Sequence, residues 1–165
     1  MKTLTTTICL TIAVLIGSAG VSWSADFQKG LTAYHSGDFA TALREWTPLA
    51  EQGDTAALSS LGWMYQNGEG VPQDYKTALK WYRLAAEQGD TDAQYNLGRM
   101  FYKGEGVIQD NVYAHMWWNI AASSGDPNAN AVPNRDMVAK EMTPADISTA
   151  QKLARECVRK KYKGC

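Results

Sequence analysis

His35, His115 and the cysteines Cys9, Cys157 and Cys165 are the residues best suited to ligate a metal or to act as an activated nucleophile in this 165-residue chain. A metal centre needs three or four ligands gathered together. A nucleophile needs a base within hydrogen-bond reach. The two histidines fall in different helical patterns, and no ligand set gathers around either. No Gly-x-Ser-x-Gly marks a serine nucleophile. The doublet Gly68-x-Gly70 could begin a phosphate loop, but no strand pattern precedes it, and neither a third glycine nor a Gly-Lys-Ser/Thr follows. Glu69 lies between those glycines, and Glu105 stands 36 residues further on in the same setting. A carboxylate that recurs with its surroundings belongs to a structural unit. The residues predict no catalytic centre, no metal and no cofactor.

That recurrence is the dominant pattern of the chain. LGWMYQNGEGVPQDYKTALKWYRLAAEQGD at 61–90 returns as LGRMFYKGEGVIQDNVYAHMWWNIAASSGD at 97–126. A shorter copy precedes them: Asp38, Ala42, Leu43, Trp46, Ala50 and Gly53 stand 36 residues before Asp74, Ala78, Leu79, Tyr82, Ala86 and Gly89, and this copy lacks the GEGV loop. A fixed period of this length marks a stacked-repeat architecture, in which each unit covers the next. Leu58, Leu61, Gly62 and Tyr65 fall at i, i+3, i+4 and i+7, and Ala78, Trp81, Tyr82, Ala85 and Ala86 repeat that spacing, so each unit holds two helices. Asp54, Asp90 and Asp126 precede the first helix of a pair, and Asp38, Asp74 and Asp110 the second, as N-caps. Gly53, Gly89 and Gly125 close the second helices. Past Asp126 the period stops. Pro133 interrupts, Asn134 to Met142 is expected to form a short helix, and Thr143-Pro-Ala-Asp opens a last one. Its apolar stripe, Ile147, Ala150, Leu153, Ala154 and Cys157, suits a helix that caps the stack.

The two ends carry their own signals. Lys2, an apolar run over Ile8 to Ile16 and the small residues up to Ser24 follow the order of a secretory signal peptide, with cleavage expected between Ser24 and Ala25. The apolar run is too short to span a membrane, so no integral membrane segment is expected after cleavage. An exported chain keeps Cys157 and Cys165, an even pair that reads as one disulfide. Those positions lie about 12 Å apart in a continuous helix, so the helix must end before Cys165. Residues 25–126 carry thirteen Asp/Glu against seven Lys/Arg, and residues 127–165 carry four against eight. The basic excess at Arg155, Arg159, Lys160, Lys161 and Lys163 suits a solvated helix C-terminus. No nucleic-acid motif accompanies it.

The pattern A-x-x-x-L-G-x-M-Y-x-x-G-x-G-V-x-x-D-x-x-x-A-x-x-W-Y-x-x-A-A-x-x-G covers Ala57–Gly89 and Ala93–Gly125, and Phe27–Gly53 loosely. It resembles the Sel-one-like repeat, a relative of the tetratricopeptide repeat. The resemblance implies an all-α chain: a right-handed α/α solenoid of helix–turn–helix repeats with a C-terminal capping helix. The implied organisation is a signal peptide over 1–24 and one solenoid domain over 25–165. Within it lie a degenerate repeat one at 26–53, repeat two at 54–89, repeat three at 90–125 and capping helices at 126–165. The tail is similar to that of exported proteobacterial members, which implies a periplasmic or secreted protein. It further implies a monomeric, non-catalytic adaptor with a protein or peptide partner and no nucleic acid. The alternative is a peptide- or glycan-binding accessory protein of the envelope. Cysteine-rich relatives with a disulfide in each helix pair have been linked to penicillin binding and β-lactamase activity; this chain has no cysteine in any repeat, so that activity does not carry over.

In such solenoids the first helix of each pair lines the concave side. The face opposite the apolar stripe of repeat two is Ser59, Trp63, Gln66 and Asn67. Repeat three offers Tyr95, Arg99, Tyr102 and Lys103. Repeat one, aligned on Tyr34, offers Gln28, Thr32 and His35. Trp, Tyr and Arg are the side chains that most often anchor interfaces, and nothing in the period requires a tryptophan at Trp63.

Overall fold

A computed structural model of the protein describes residues 25–125 and 130–165, so the expected signal peptide and Asp126 lie outside the described residues. Eight helices follow in order: α1 (Phe27–His35), α2 (Phe39–Glu51), α3 (Thr55–Asn67), α4 (Tyr75–Ala86), α5 (Thr91–Lys103), α6 (Asn111–Ser123), α7 (Ala131–Ala139) and α8 (Pro144–Arg159). Asp38, Asp54, Asp74, Asp90 and Asp110 each accept backbone N–H groups in the first turn of the helix that follows, and Asp26 does the same for α1. Three antiparallel pairs result, α1/α2, α3/α4 and α5/α6, and each packs on the next.

The pairs close through one recurring contact. Gly30, Gly62 and Gly98 lie against the rings of Trp46, Tyr82 and Trp118, and a β-carbon at Gly98 would stand 2.6 Å from the Trp118 ring. The absent side chain lets a first helix rest on an aromatic of its partner. Those aromatics are fully buried and form the core with Leu58, Leu61, Met64, Leu97 and Met100.

A second recurring contact joins successive pairs. The Gly-Glu-Gly loop of each later repeat reaches back to the pair before it. Glu69 accepts from the Tyr34 hydroxyl at 2.8 Å, and Glu105 accepts from the Gln66 amide at 2.9 Å. Gly70 lies on Phe39, and Gly106 on the backbone of Tyr75, 36 residues later. The loop is a latch between repeats.

The C-terminal part caps the stack as expected, since α7 and α8 both pack on α6. The short helix starts at Ala131 rather than Asn134, with Pro133 inside its first turn. A missing N–H there costs nothing, because the first amides of a helix have no intrahelical acceptor. The last helix opens on the expected capping box of Thr143 and Asp146. It stops at Arg159, and Lys161 and Tyr162 take left-handed backbone conformations (φ 52° and 63°). This turn brings Cys157 and Cys165 to a Cα separation of 5.6 Å, joined as a disulfide. The closed tail touches α4: Lys163 pairs with Glu87 at 3.7 Å, and the Gly164 N–H donates to the same carboxylate. Reducing this bond is expected to lower stability by about 2–3 kcal/mol, the closure entropy of so short a loop. Thermal denaturation with and without dithiothreitol measures it, and a Cys157→Ser/Cys165→Ser variant should melt like the reduced protein.

His115 lies in α6 with 3% of its surface exposed, and its Nδ1 has no hydrogen-bond partner. Burial, and then the nearby Arg135, push its pKa below the usual 6.5, with Asp136 opposing. Between the lowered folded value and 6.5 the unfolded chain binds a proton that the folded chain does not. Stability is therefore full above that window and lost as pH falls through it. Urea denaturation at pH 7.5 and pH 5 should show the loss, and His115→Gln should remove most of the difference.

Candidate functional site

The first helices of the three pairs share one side of the stack, and a groove of about 670 Å³ runs along it. From α1 it takes Phe27, Leu31 and Tyr34; from α3, Ser59, Ser60 and Trp63; from α5, Asp92, Tyr95, Asn96 and Arg99. Asp90, the cap of α5, and Asn130, just before α7, complete its wall, and Trp46 and Tyr82 reach it from the core.

Trp63 is held at the centre of this surface. It remains 39% exposed, while its indole N–H donates to the Tyr34 hydroxyl at 2.8 Å. That hydroxyl donates in turn to Glu69. The chain of bonds fixes the indole plane through two helices and a latch loop, and burial, followed by the hydrogen bond to Glu69 and then its charge, raises the Tyr34 pKa. Asp90 accepts from the Ser59 hydroxyl at 3.2 Å and from the Ala93 N–H at 2.6 Å. Burial raises its pKa, and the neighbouring Asp92 adds to the shift. On the far wall the Tyr95 hydroxyl accepts from Asn134 of α7 at 2.9 Å.

Of the residues expected on the concave face, Ser59, Trp63, Tyr95 and Arg99 line the groove together. The others do not. Gln66 is 2% exposed; its amide binds Glu105 and accepts from Tyr82, so it belongs to the core and the latch. Asn67 is exposed and folds back on the Trp63 carbonyl. Lys103 pairs with Glu105 at 3.7 Å, and Tyr102 lies against Trp118 and binds Glu141.

Gln28, Thr32 and His35 are exposed but do not line the groove, because the expected register of α1 is one residue out. Gly30 meets Trp46 as Gly62 meets Tyr82, and Tyr34 meets the next latch as Gln66 does. Both equivalences place α1 32 residues before α3, whereas aligning Tyr34 with Tyr65 uses 31. One residue turns a helix by about 100°, which moves Phe27 and Leu31 into the groove. Matching Gly30 to Gly62 in the sequence would have found this. Asn96 was also missed; its place four residues after Asp92 and three before Arg99 was the available signal.

Stacked helix pairs with a groove along their first helices define the protein as an α/α solenoid. The second and third of its pairs are Sel1 repeats: the Sel1 repeat model matches residues 55–90 and 91–126. The first pair lies outside those matches. A crystal structure of c5321, a protective antigen of uropathogenic Escherichia coli strains displaying an SLR fold, is similar with a TM-score of 0.75 and 29% identity, over 81% of this chain and 30% of that one. A Sel1 repeat protein from Oxalobacter formigenes is similar with a TM-score of 0.65 and 30% identity, over 70% and 47%. The chain thus spans less than half of either protein. No curated protein matches it.

Proposed function

We propose that this is a non-catalytic adaptor of the bacterial envelope, or a secreted one, that binds an extended segment of a partner protein along the groove. The observation that carries the reading is Trp63, a large aromatic left 39% exposed yet held in place by Tyr34 and Glu69. An exposed side chain fixed in advance loses little entropy when a ligand covers it, and solenoids use their concave faces in this way. Helix ends and latch loops account for the repeating residues, which leaves the non-repeating ones, Trp63 against Arg99 and Ser59 against Tyr95, to set the partner. The amino-terminal pattern and the Cys157–Cys165 pair support export; among the described residues no helix is long and apolar enough to cross a membrane. Cross-linking in intact cells, followed by mass spectrometry, tests the reading. It expects an envelope or secreted protein captured by wild type and lost from Trp63→Ala, with the mature chain beginning at Ala25. Capture by both forms alike, or a chain retained in the cytoplasm, would sink it.

A further inference from the structure

We infer that the disulfide-closed tail, residues 160–165, holds the turn that sets Asp90 in the groove wall, and that reduction of Cys157–Cys165 loosens this wall. A tie between repeats forms once and is then missing. Gln88, just past α4, reaches back to the turn before α3. Its amide donates to the Gly53 carbonyl at 3.0 Å, and its side-chain oxygen accepts from the Thr55 hydroxyl at 2.7 Å. Gly89 and Thr91 repeat Gly53 and Thr55 36 residues on, but Ser124 stands where a second glutamine would. Its side chain is shorter, and its hydroxyl donates to the Ile120 carbonyl of its own helix at 3.1 Å. The tail serves this second turn instead. A β-carbon on Gly89 would stand 3.5 Å from the Tyr162 ring. Lys163 pairs with Glu87 at 3.7 Å, and the Gly164 N–H donates to the same carboxylate at 3.3 Å.

The disulfide gives the tail the shape this contact needs. Lys161 and Tyr162 are both left-handed, a conformation that side chains disfavour. Two such residues in a row persist only where the surrounding bonds impose them. The Tyr162 N–H donates to the Cys157 carbonyl at 2.9 Å, and the Cys157–Cys165 bond closes the loop from its far end. The turn under the tail leads directly into the groove. Asp90 lines it, accepts from the Ala93 N–H at 2.6 Å and from the Ser59 hydroxyl at 3.2 Å, and so fixes the start of α5 against α3. A dithiol reductant that becomes a cyclic disulfide leaves Cys157 and Cys165 as two thiols. The constraint on Lys161 and Tyr162 is then gone, the tail leaves Glu87 and Gly89, and the turn loses its outer support. If the groove is the partner site, the oxidised protein is the binding form; only this consequence rests on that reading.

Amide hydrogen exchange, followed residue by residue by NMR, tests this on the protein alone. The N–H groups of Asp90, Ala93 and Gln94 bond to the Ala85 carbonyl, the Asp90 carboxylate and the Asp90 carbonyl. They should exchange about tenfold faster or more after reduction with dithiothreitol, as local opening becomes easier. The N–H groups of Asp54, Ala57 and Leu58 make the same bonds at the turn that Gln88 holds. Their rates should change by less than about threefold. Tyr162→Ala should speed exchange at the first set while the disulfide stays closed. Ser124→Gln, at an exposed position, should supply the missing tie and restore most of the protection in the reduced protein. Equal acceleration at both turns would mean that reduction only lowers global stability, and it overturns the inference. Exchange at Asp90 that is indifferent to reduction, or acceleration that Ser124→Gln leaves untouched, overturns it as well. Each of these failures leaves the groove reading standing, because that reading is tested by capture of a partner and its loss from Trp63→Ala.

Discussion

Gly106→Ala is expected to destabilise the protein by about 3 kcal/mol or more. Two costs combine there. The backbone of Gly106 is left-handed (φ 74°), which a β-carbon disfavours, and that carbon would lie 2.7 Å from the backbone carbonyl of Tyr75. Backbone at the start of α4 cannot rotate aside as a side chain could. Gly125 separates the two costs. Its φ is 77°, yet no atom of the described residues lies within 4 Å of the added carbon, so Gly125→Ala should cost about 1–2 kcal/mol from conformation. Urea denaturation of both variants measures the difference. Equal losses would show that the latch does not depend on close approach at Gly106. Because the latch joins the second pair to the third, a broken contact should also broaden the transition, as the nearest-neighbour coupling of a solenoid weakens.

Trp63→Ala should weaken partner binding by about thirtyfold or more, the effect of removing an anchoring aromatic at the centre of an interface. The variant should fold, since the indole is more than one-third exposed and the core aromatics Trp46, Tyr82 and Trp118 remain. Trp63→Phe keeps a ring but loses the donor to Tyr34, so its affinity should fall between the two. Gln28→Ala and Thr32→Ala are the controls. Both residues are exposed on α1 but turned from the groove, and each should change affinity by less than about threefold, as surface substitutions outside an interface do. Titration of the captured partner by calorimetry gives all four values. Comparable losses from Thr32→Ala and Trp63→Ala would return the contact surface to the other face of α1.

The structure and the comparisons agree with the sequence on the helix pairs, their caps and the Sel1 character of the repeats. These are properties of short range. An aspartate caps a helix wherever its carboxylate meets the next free amides, as at Asp74 and Asp110, and the 3.6-residue spacing of Leu58, Leu61 and Tyr65 marks a helix whatever it packs against. The site was legible in part. Ser59, Trp63, Tyr95 and Arg99 were placed on one surface because repeats two and three have identical lengths, so their registers could be transferred. Repeat one is four residues shorter between its helices, and a pattern match on Tyr34 could not show on which side of α1 the deletion fell.

The amino-acid sequence alone determined that this chain stacks helix pairs, where α2 to α6 and α8 start, and that Cys157 and Cys165 need a break in the last helix to meet. Each follows from contacts between residues close together in the chain. Only the tertiary structure decided that Gln66 belongs to the core, that Glu69 and Glu105 latch one repeat to the one before, and that Phe27 and Leu31 face the groove beside Asn96 and Arg99. Those contacts join residues 35 to 39 positions apart or depend on a rotation of one helix against another, and neither leaves a mark in local spacing.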